Sequence, residues 1–181
     1  MTEHERLVRK ARRFLLRDHP LVVSELVSGR ETPDVIGFQH SGHSTLIEVK
    51  VSRSDFLRDK EKFGRRPELA WRGAGSGLGD KRYYLIPQGL LERSDLPKGW
   101  GLLTLLPRGG IGLHAESVNF NKDWRAEMGL LLSLIRRIRP SSCPEHVSLK
   151  FYRWQTKNQA VAIVDGRDDV DMASVKVNRG D

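Results

Sequence analysis

A chain of 181 residues, 38% of them hydrophobic and 30% charged, can bury a real core in one domain and is too apolar to be a disordered segment. Its 31 Lys and Arg outnumber 23 Asp and Glu, and the resulting +8 points to a polyanionic partner, most often nucleic acid, with a merely solvated basic surface as the bland alternative. The single cysteine, Cys143, excludes an internal disulfide and a cysteine-cluster zinc site, and no apolar run nears the roughly 20 residues that cross a bilayer.

The N-terminus, "MTEHERLVRKARRF", is basic but has no following apolar stretch of signal-peptide type, so a cytoplasmic or nucleoid setting is the expectation. Residues 3–17 are predicted helical: Leu7, Val8, Ala11, Phe14 and Leu15 recur at helical spacing, Arg6, Arg9, Arg12, Arg13 and Arg17 fill much of the remainder, and Pro20 ends the run. "LVVSELVS" (21–28) and "PDVIGF" (33–38) are predicted strands, joined by a turn at "GRET". After the polar "QHSGHS" turn comes a third strand, "STLIEVKV" (44–51).

That third strand is the informative one. With period two, Thr45, Ile47, Val49 and Val51 face one way, and Leu46, Glu48 and Lys50 face the other. Ser52 then changes the period. "SRSD" has the spacing of a capping box, Ser52 at the N-cap and Asp55 three residues on, which predicts a helix through about Phe63. "WRGAGSGLGD" (71–80) is a glycine-rich loop and "KRYYLIP" (81–87) a fourth strand. "WGLLTLLPRGGIGLHAES" is predicted as a hairpin turning at Gly109–Gly110, and a last amphipathic helix is predicted over about 123–139. This order gives an α/β fold, a central mixed β-sheet flanked by helices, over residues 1–140. Residues 141–181 form a C-terminal extension with candidate strands "VSLKFYRW" and "AVAIVD", an acidic "DGRDDVDM" stretch and a terminus expected to be disordered.

Three acids fall on the first three strands: Glu25, Asp34 and Glu48. Neighbouring strands lie about 4.8 Å apart, so acids at matching levels on one face can share a metal ion. Carboxylates are what hard Mg²⁺ (or Mn²⁺) prefers. Lys50, on the face of Glu48, would stand beside such an ion as an ammonium, able to orient an attacking water and offset charge growing on a phosphate.

Pro33-Asp34 followed by Glu48-Val49-Lys50 resembles the signature of the PD-(D/E)XK nuclease superfamily. The longer run, "SELVSGRETPDVIGF", "TLIEVKVSRSDFLRDKEKF" and "GDKRYYLIP", is similar to its MmcB-like DNA repair branch, where a strand Glu, an Asp, an E-x-K and an "S-x-x-D-F-x-x-D" helix follow in this order. The likeness extends over about 1–139. It implies a restriction-endonuclease-like core, a Mg²⁺- or Mn²⁺-dependent deoxyribonuclease activity in DNA repair or processing, and DNA as partner. It also implies Asp34, Glu48 and Lys50 as the active-site set, the Val49 carbonyl as an additional metal ligand, Glu25 as a matching acid, and Ser52, Asp55 and Asp59 in support. The chain departs from the branch at the glycine-rich insertion 71–80 and at Glu61, where a basic residue is common.

The basic partners for DNA are expected in the arginine-rich first helix and in Arg53, Arg58, Lys60, Lys62, Arg65 and Arg66. Blander readings stand beside these. Glu48 and Lys50 also read as a surface ion pair, Asp34 as a turn starter, Asp55 as a helix cap, and Asp59 as a helix-face contact with Lys62 or Phe63. A non-catalytic DNA-binding protein on the same fold is the rival class. His40 and His43 lack further zinc ligands, "GAGSGLG" lacks the Gly-Lys-Ser/Thr of a phosphate loop, and Trp71, Trp100, Trp124 and Trp154 read as core or rim residues.

Overall fold

The computed structural model describes residues 1–26, 32–60, 77–137, 147–153 and 160–165; for Lys60, Arg136 and the last two segments it describes the backbone alone. Helix α1 spans Glu3–Leu15 and starts on a capping box: the Thr2 hydroxyl accepts the Glu5 N–H at 3.2 Å, and the Glu5 carboxylate accepts the Thr2 N–H at 2.8 Å. Strands β1 (Leu21–Ser24), β2 (Val35–Phe38) and β3 (Ser44–Val49) form an antiparallel meander. Helix α2 (Arg53–Lys60) then leads towards β4 (Lys81–Pro87), which pairs parallel to β3. Strand β5 (Gly101–Leu105) is parallel to β4, β6 (Ile111–Ala115) closes the hairpin, and α3 runs over Trp124–Arg137. The two strands expected after Pro140 are present as β7 (Val147–Arg153) and β8 (Ala160–Asp165). They extend the β1 edge, giving one eight-stranded mixed sheet in the order β6-β5-β4-β3-β2-β1-β7-β8.

The period-two pattern decides which helix covers which face. Val22, Val35, Ile47, Val49, Leu85 and Leu103 pack under Leu7, Val8, Ala11 and Leu15 of α1. Val23, Ile36, Leu46, Tyr84 and Leu102 point the other way, against Phe56 of α2 and Leu130 and Leu134 of α3. Burying these side chains, at about 25 cal/mol per Å² of apolar surface, is the main force holding helices to sheet. The sheet is therefore covered on both faces, an α/β fold.

Four boundaries differ from the sequence expectation, β3 among them, which ends at Val49 and not at Val51. β1 stops at Ser24 because Glu25 takes φ +52, a left-handed conformation that no strand continues through. β2 begins at Val35, and the Asp34 side chain before it accepts the Val49 N–H of β3. α1 ends at Leu15, with His19 already bonded back to the Leu15 carbonyl at 2.9 Å. The hairpin turn falls where expected, with Gly109 at φ +82 and its N–H donating to the Leu106 carbonyl at 2.8 Å. The "GRET" turn as far as Glu31, the continuation of the second helix expected as far as Phe63, most of the glycine-rich loop, Trp71, Cys143, Trp154 and the acidic stretch beyond Asp165 lie outside the described residues.

Candidate functional site

The sheet passes into α2 at the C-terminal end of β3, and the sequence-selected residues gather there. The β2–β3 register sets Val35 across from Ile47, which brings Asp34 across from Glu48 one step on. The β1–β2 register ends at Ser24 and Val35, and the Glu25 N–H donates to the carbonyls of Pro33 and Asp34 at 3.1 and 3.2 Å. Of the three acids expected on strands only Glu48 is on one; Glu25 follows the end of β1 and Asp34 precedes β2, beside the end of β3. The Asp34 carboxylate accepts the Val49 N–H at 2.7 Å, continuing the ladder with a side chain. Because the N–H and C=O of a strand residue point to the same side, the Val49 carbonyl is turned toward Asp34 as well. The left-handed backbone of Glu25 costs a non-glycine residue about 1–2 kcal/mol, and strain of this kind gathers at functional sites.

Glu48 and Lys50 share a face as expected, but it is not a wet one: they are 4% and 5% exposed. The surface-ion-pair reading fails on burial. α2 covers this face, and its acids reach Lys50. The ammonium lies 3.3 Å from Asp59 Oδ1, 3.8 Å from Glu48 Oε2 and 4.0 Å from Asp55 Oδ2. Asp59, 2% exposed, accepts the Tyr84 hydroxyl on Oδ2 at 2.9 Å, so it is no mere helix-face contact. Ser52 caps α2 as expected, accepting the Asp55 N–H on its hydroxyl at 3.2 Å. The Asp55 carboxylate is turned toward Lys50 and, at 3.9 Å, toward Arg58, which adds an electrostatic role to its place in the cap.

Sequence reasoning missed two members. His4, in the first turn of α1, brings Nε2 to 3.6 Å from Asp34 Oδ2. The Asp34 carboxylate raises the imidazole pKa above its ordinary value and Glu25 adds to this, while partial burial and Lys50 oppose it. Tyr84 lies across from Glu48 in the parallel β3–β4 register. A lone histidine near a helix start carries no signal by itself, and nothing in "RYYL" says which tyrosine faces α2.

Of the residues expected to bind DNA, Arg53 is exposed but held by Asp95 through bonds of 2.6 and 3.3 Å, and Arg58 is exposed. The Lys60 side chain, Lys62, Arg65 and Arg66 lie outside the described residues, as does Glu61. Arg13 of α1 and Arg17 just after it are exposed; Arg6 pairs with Glu3 at 3.2 Å.

At the opposite end of β3 a second polar group is fully engaged in structure. Lys122 Nζ reaches Asp80 at 2.7 Å, Glu127 at 3.0 Å and the Gly42 carbonyl at 2.6 Å. Ser44 donates to Glu127 at 2.5 Å, and Glu127 also accepts the Gly79 N–H at 2.9 Å. Although burial works against ionisation, hydrogen bonds from Lys122 and Ser44 hold the Asp80 carboxyl below its ordinary pKa. This network pins the start of β4 to α3. The His43 ring lies 3.7 Å from the Asp80 carboxylate. Trp100 is buried in the core, and Trp124 is exposed.

Among the described residues no group of three or more His, Cys, Asp and Glu side chains is placed to hold a metal ion. The donors at the end of β3 are carboxylate and carbonyl oxygens, and Mg²⁺ commonly takes one or two carboxylates while keeping several waters. Their chemistry suits Mg²⁺ or Mn²⁺. No helix among the described residues is long and apolar enough to cross a membrane.

No family model and no curated protein matches the chain. Among solved structures, a protein of unknown function from Silicibacter pomeroyi, SPO1766, is similar in fold, with a TM-score of 0.56 and 23% identity over 76% of this chain and 89% of that one. The likeness is one of fold alone.

Proposed function

We propose that the chain is a Mg²⁺- or Mn²⁺-dependent deoxyribonuclease, hydrolysing phosphodiester bonds in DNA repair or processing. The observation that carries this reading is the buried Glu48–Lys50 pair at the end of β3, with Asp34 bonded to the Val49 N–H between them. The antiparallel β1–β2–β3 meander and the parallel β4, with α1 and α2 on opposite faces, support a restriction-endonuclease-like core. The +8 charge supports a polyanionic substrate.

Asp34, Glu48 and the Val49 carbonyl would hold the ion, with Glu25, just after β1, as a further acid. When bound, a divalent cation supplies Lewis acidity and a more acidic water. The protein's own contribution is positional. Lys50 keeps a positive charge among carboxylates where a phosphate must enter, and its N–H donors orient an incoming water and offset charge on the phosphoryl oxygens. A fixed ammonium needs no reorganisation as that charge develops, so its effect is greatest in the transition state.

The rival reading is a DNA-binding protein without turnover, which the +8 charge supports equally. Incubation with single-stranded, duplex and branched DNA, with Mg²⁺, Mn²⁺ or chelator, separates the two. The nuclease reading expects metal-dependent cutting of at least one form. Binding without cutting on all three would support the rival.

A further inference from the structure

Lys50 has a long, flexible stem, and a catalytic ammonium is useful only if its place is fixed. Of the three carboxylates around it, Asp59 is the nearest, its Oδ1 ion-paired with the ammonium at 3.3 Å, while Glu48 lies at 3.8 Å and Asp55 at 4.0 Å. Asp59 is itself fixed from behind, by the Tyr84 hydroxyl at 2.9 Å. The Tyr84 ring is clamped in turn, stacked on Trp100 at 4.5 Å and 24° and meeting the edge of Phe56 at 5.1 Å and 80°. Phe56 and Asp59 lie three residues apart on α2, so one helix face presents both the clamp and the carboxylate.

We propose that Asp59 and Tyr84 are positioning residues that transmit the rigidity of the aromatic core to the Lys50 ammonium. The consequence for catalysis rests on the nuclease reading; the ordering of Lys50 does not. Stability alone accounts poorly for this arrangement. An ion pair this deeply buried is often no better for stability than apolar side chains of the same volume. Its benefit is orientation, because Tyr84 donates to one carboxylate oxygen and leaves the other facing Lys50.

The test uses the full chain, the variants Asp59→Asn and Tyr84→Phe, and Asp59→Asn combined with Lys50→Ala. The first readout is the ¹⁵N–¹H signal of the Lys50 amine, assigned by its loss in Lys50→Ala. An ordered, buried ammonium exchanges slowly enough to give a resolved signal, which is expected to broaden or vanish in Asp59→Asn and to shift in Tyr84→Phe. The second readout is steady-state DNA cleavage. Each single variant is expected to lower kcat about 10- to 100-fold, the range typical of residues that orient a functional group, with KM unchanged. Asp59→Asn is expected to add nothing once Lys50 is gone.

A Lys50 signal indifferent to both changes overturns the proposal, as do losses that multiply in the double variant. Tyr84→Phe removes a single oxygen and keeps the stack, so it decides the matter if Asp59→Asn does not fold. If the wild type cuts no DNA while the amine signal responds as described, the positioning claim stands and the nuclease reading is what fails.

Discussion

Lys50, directly after β3, and Asp59 on α2 form an ion pair of 3.3 Å with both residues buried, joining the end of the strand to the helix through charge beside an apolar face. Removing one partner leaves the other ionised away from water. Lys50→Ala is therefore expected to cost about 3–5 kcal/mol, read as a lowered midpoint in urea unfolding with an unchanged slope. A surface pair would cost under about 1 kcal/mol, and a loss that small would mean that Lys50 is solvated. Cleavage by this variant is best compared well below its melting temperature.

His19 offers a pH dependence with a definite sign. Its ring is buried, with Nδ1 3.1 Å from the Leu15 carbonyl and Nε2 3.0 Å from the Thr45 hydroxyl, which suits the neutral tautomer protonated at Nδ1. Burial lowers its pKa below the ordinary value, outweighing the Leu15 carbonyl. The unfolded chain then binds the proton more readily than the folded one. The His19 contribution is full above the unfolded pKa of about 6.5 and is lost as pH falls from there through the folded value. Thermal unfolding from pH 8 to pH 5 is expected to show a falling Tm that is shallower in His19→Gln. Identical slopes in the two proteins would contradict this.

Much of this fold is legible in the sequence because burial follows simple periods. Alternation in "STLIEVKV" correctly separates Ile47 and Val49, under α1, from Leu46, Glu48 and Lys50, under α2. Ser52 marks the helix start because its hydroxyl has a local partner. What stays hidden depends on distant chain. The strand-forming run "LVVSELVS" gives no hint that Glu25 turns left-handed, since that is set by the carbonyls of Pro33 and Asp34. Asp59 looks like any helix-surface acid until Lys50 arrives from the sheet. Tyr83 and Tyr84 are adjacent in sequence, yet one hydroxyl goes to Glu116 and the other to Asp59. Only the register of β4 decides which.

Gly101 opens β5 where no side chain fits. A Cβ there would lie 2.4 Å from the Tyr83 ring and 2.7 Å from the Ala115 carbonyl. Gly101→Ala must move either the ring or the β6 backbone, at an expected cost of about 1–3 kcal/mol. A Tm equal to wild type would show that β6 yields freely.

DNA affinity is expected to fall steeply between low and moderate salt, because phosphate contacts by Arg and Lys release counterions. Arg53 gives a local version of this test, since Asp95 now holds its guanidinium in a fork of 2.6 and 3.3 Å. Asp95→Ala removes a negative charge and releases that fork, so tighter binding with a steeper salt dependence is expected. Affinity that hardly responds to salt would leave the +8 charge as a solubility feature.

The central claim is that Asp34, Glu48 and Lys50 act together on a DNA phosphodiester. Its most direct test compares wild type, Asp34→Ala and Lys50→Ala for both DNA affinity and cleavage, with Mg²⁺ or Mn²⁺ present. The expected result is cutting by wild type, none by Asp34→Ala and only a small residual rate for Lys50→Ala, which keeps most of its affinity. Asp34→Ala should bind DNA as well as wild type or better, because a carboxylate facing phosphate has been removed. Equal binding by all three proteins with no cutting by any of them, or equal cutting by wild type and Lys50→Ala, would contradict it.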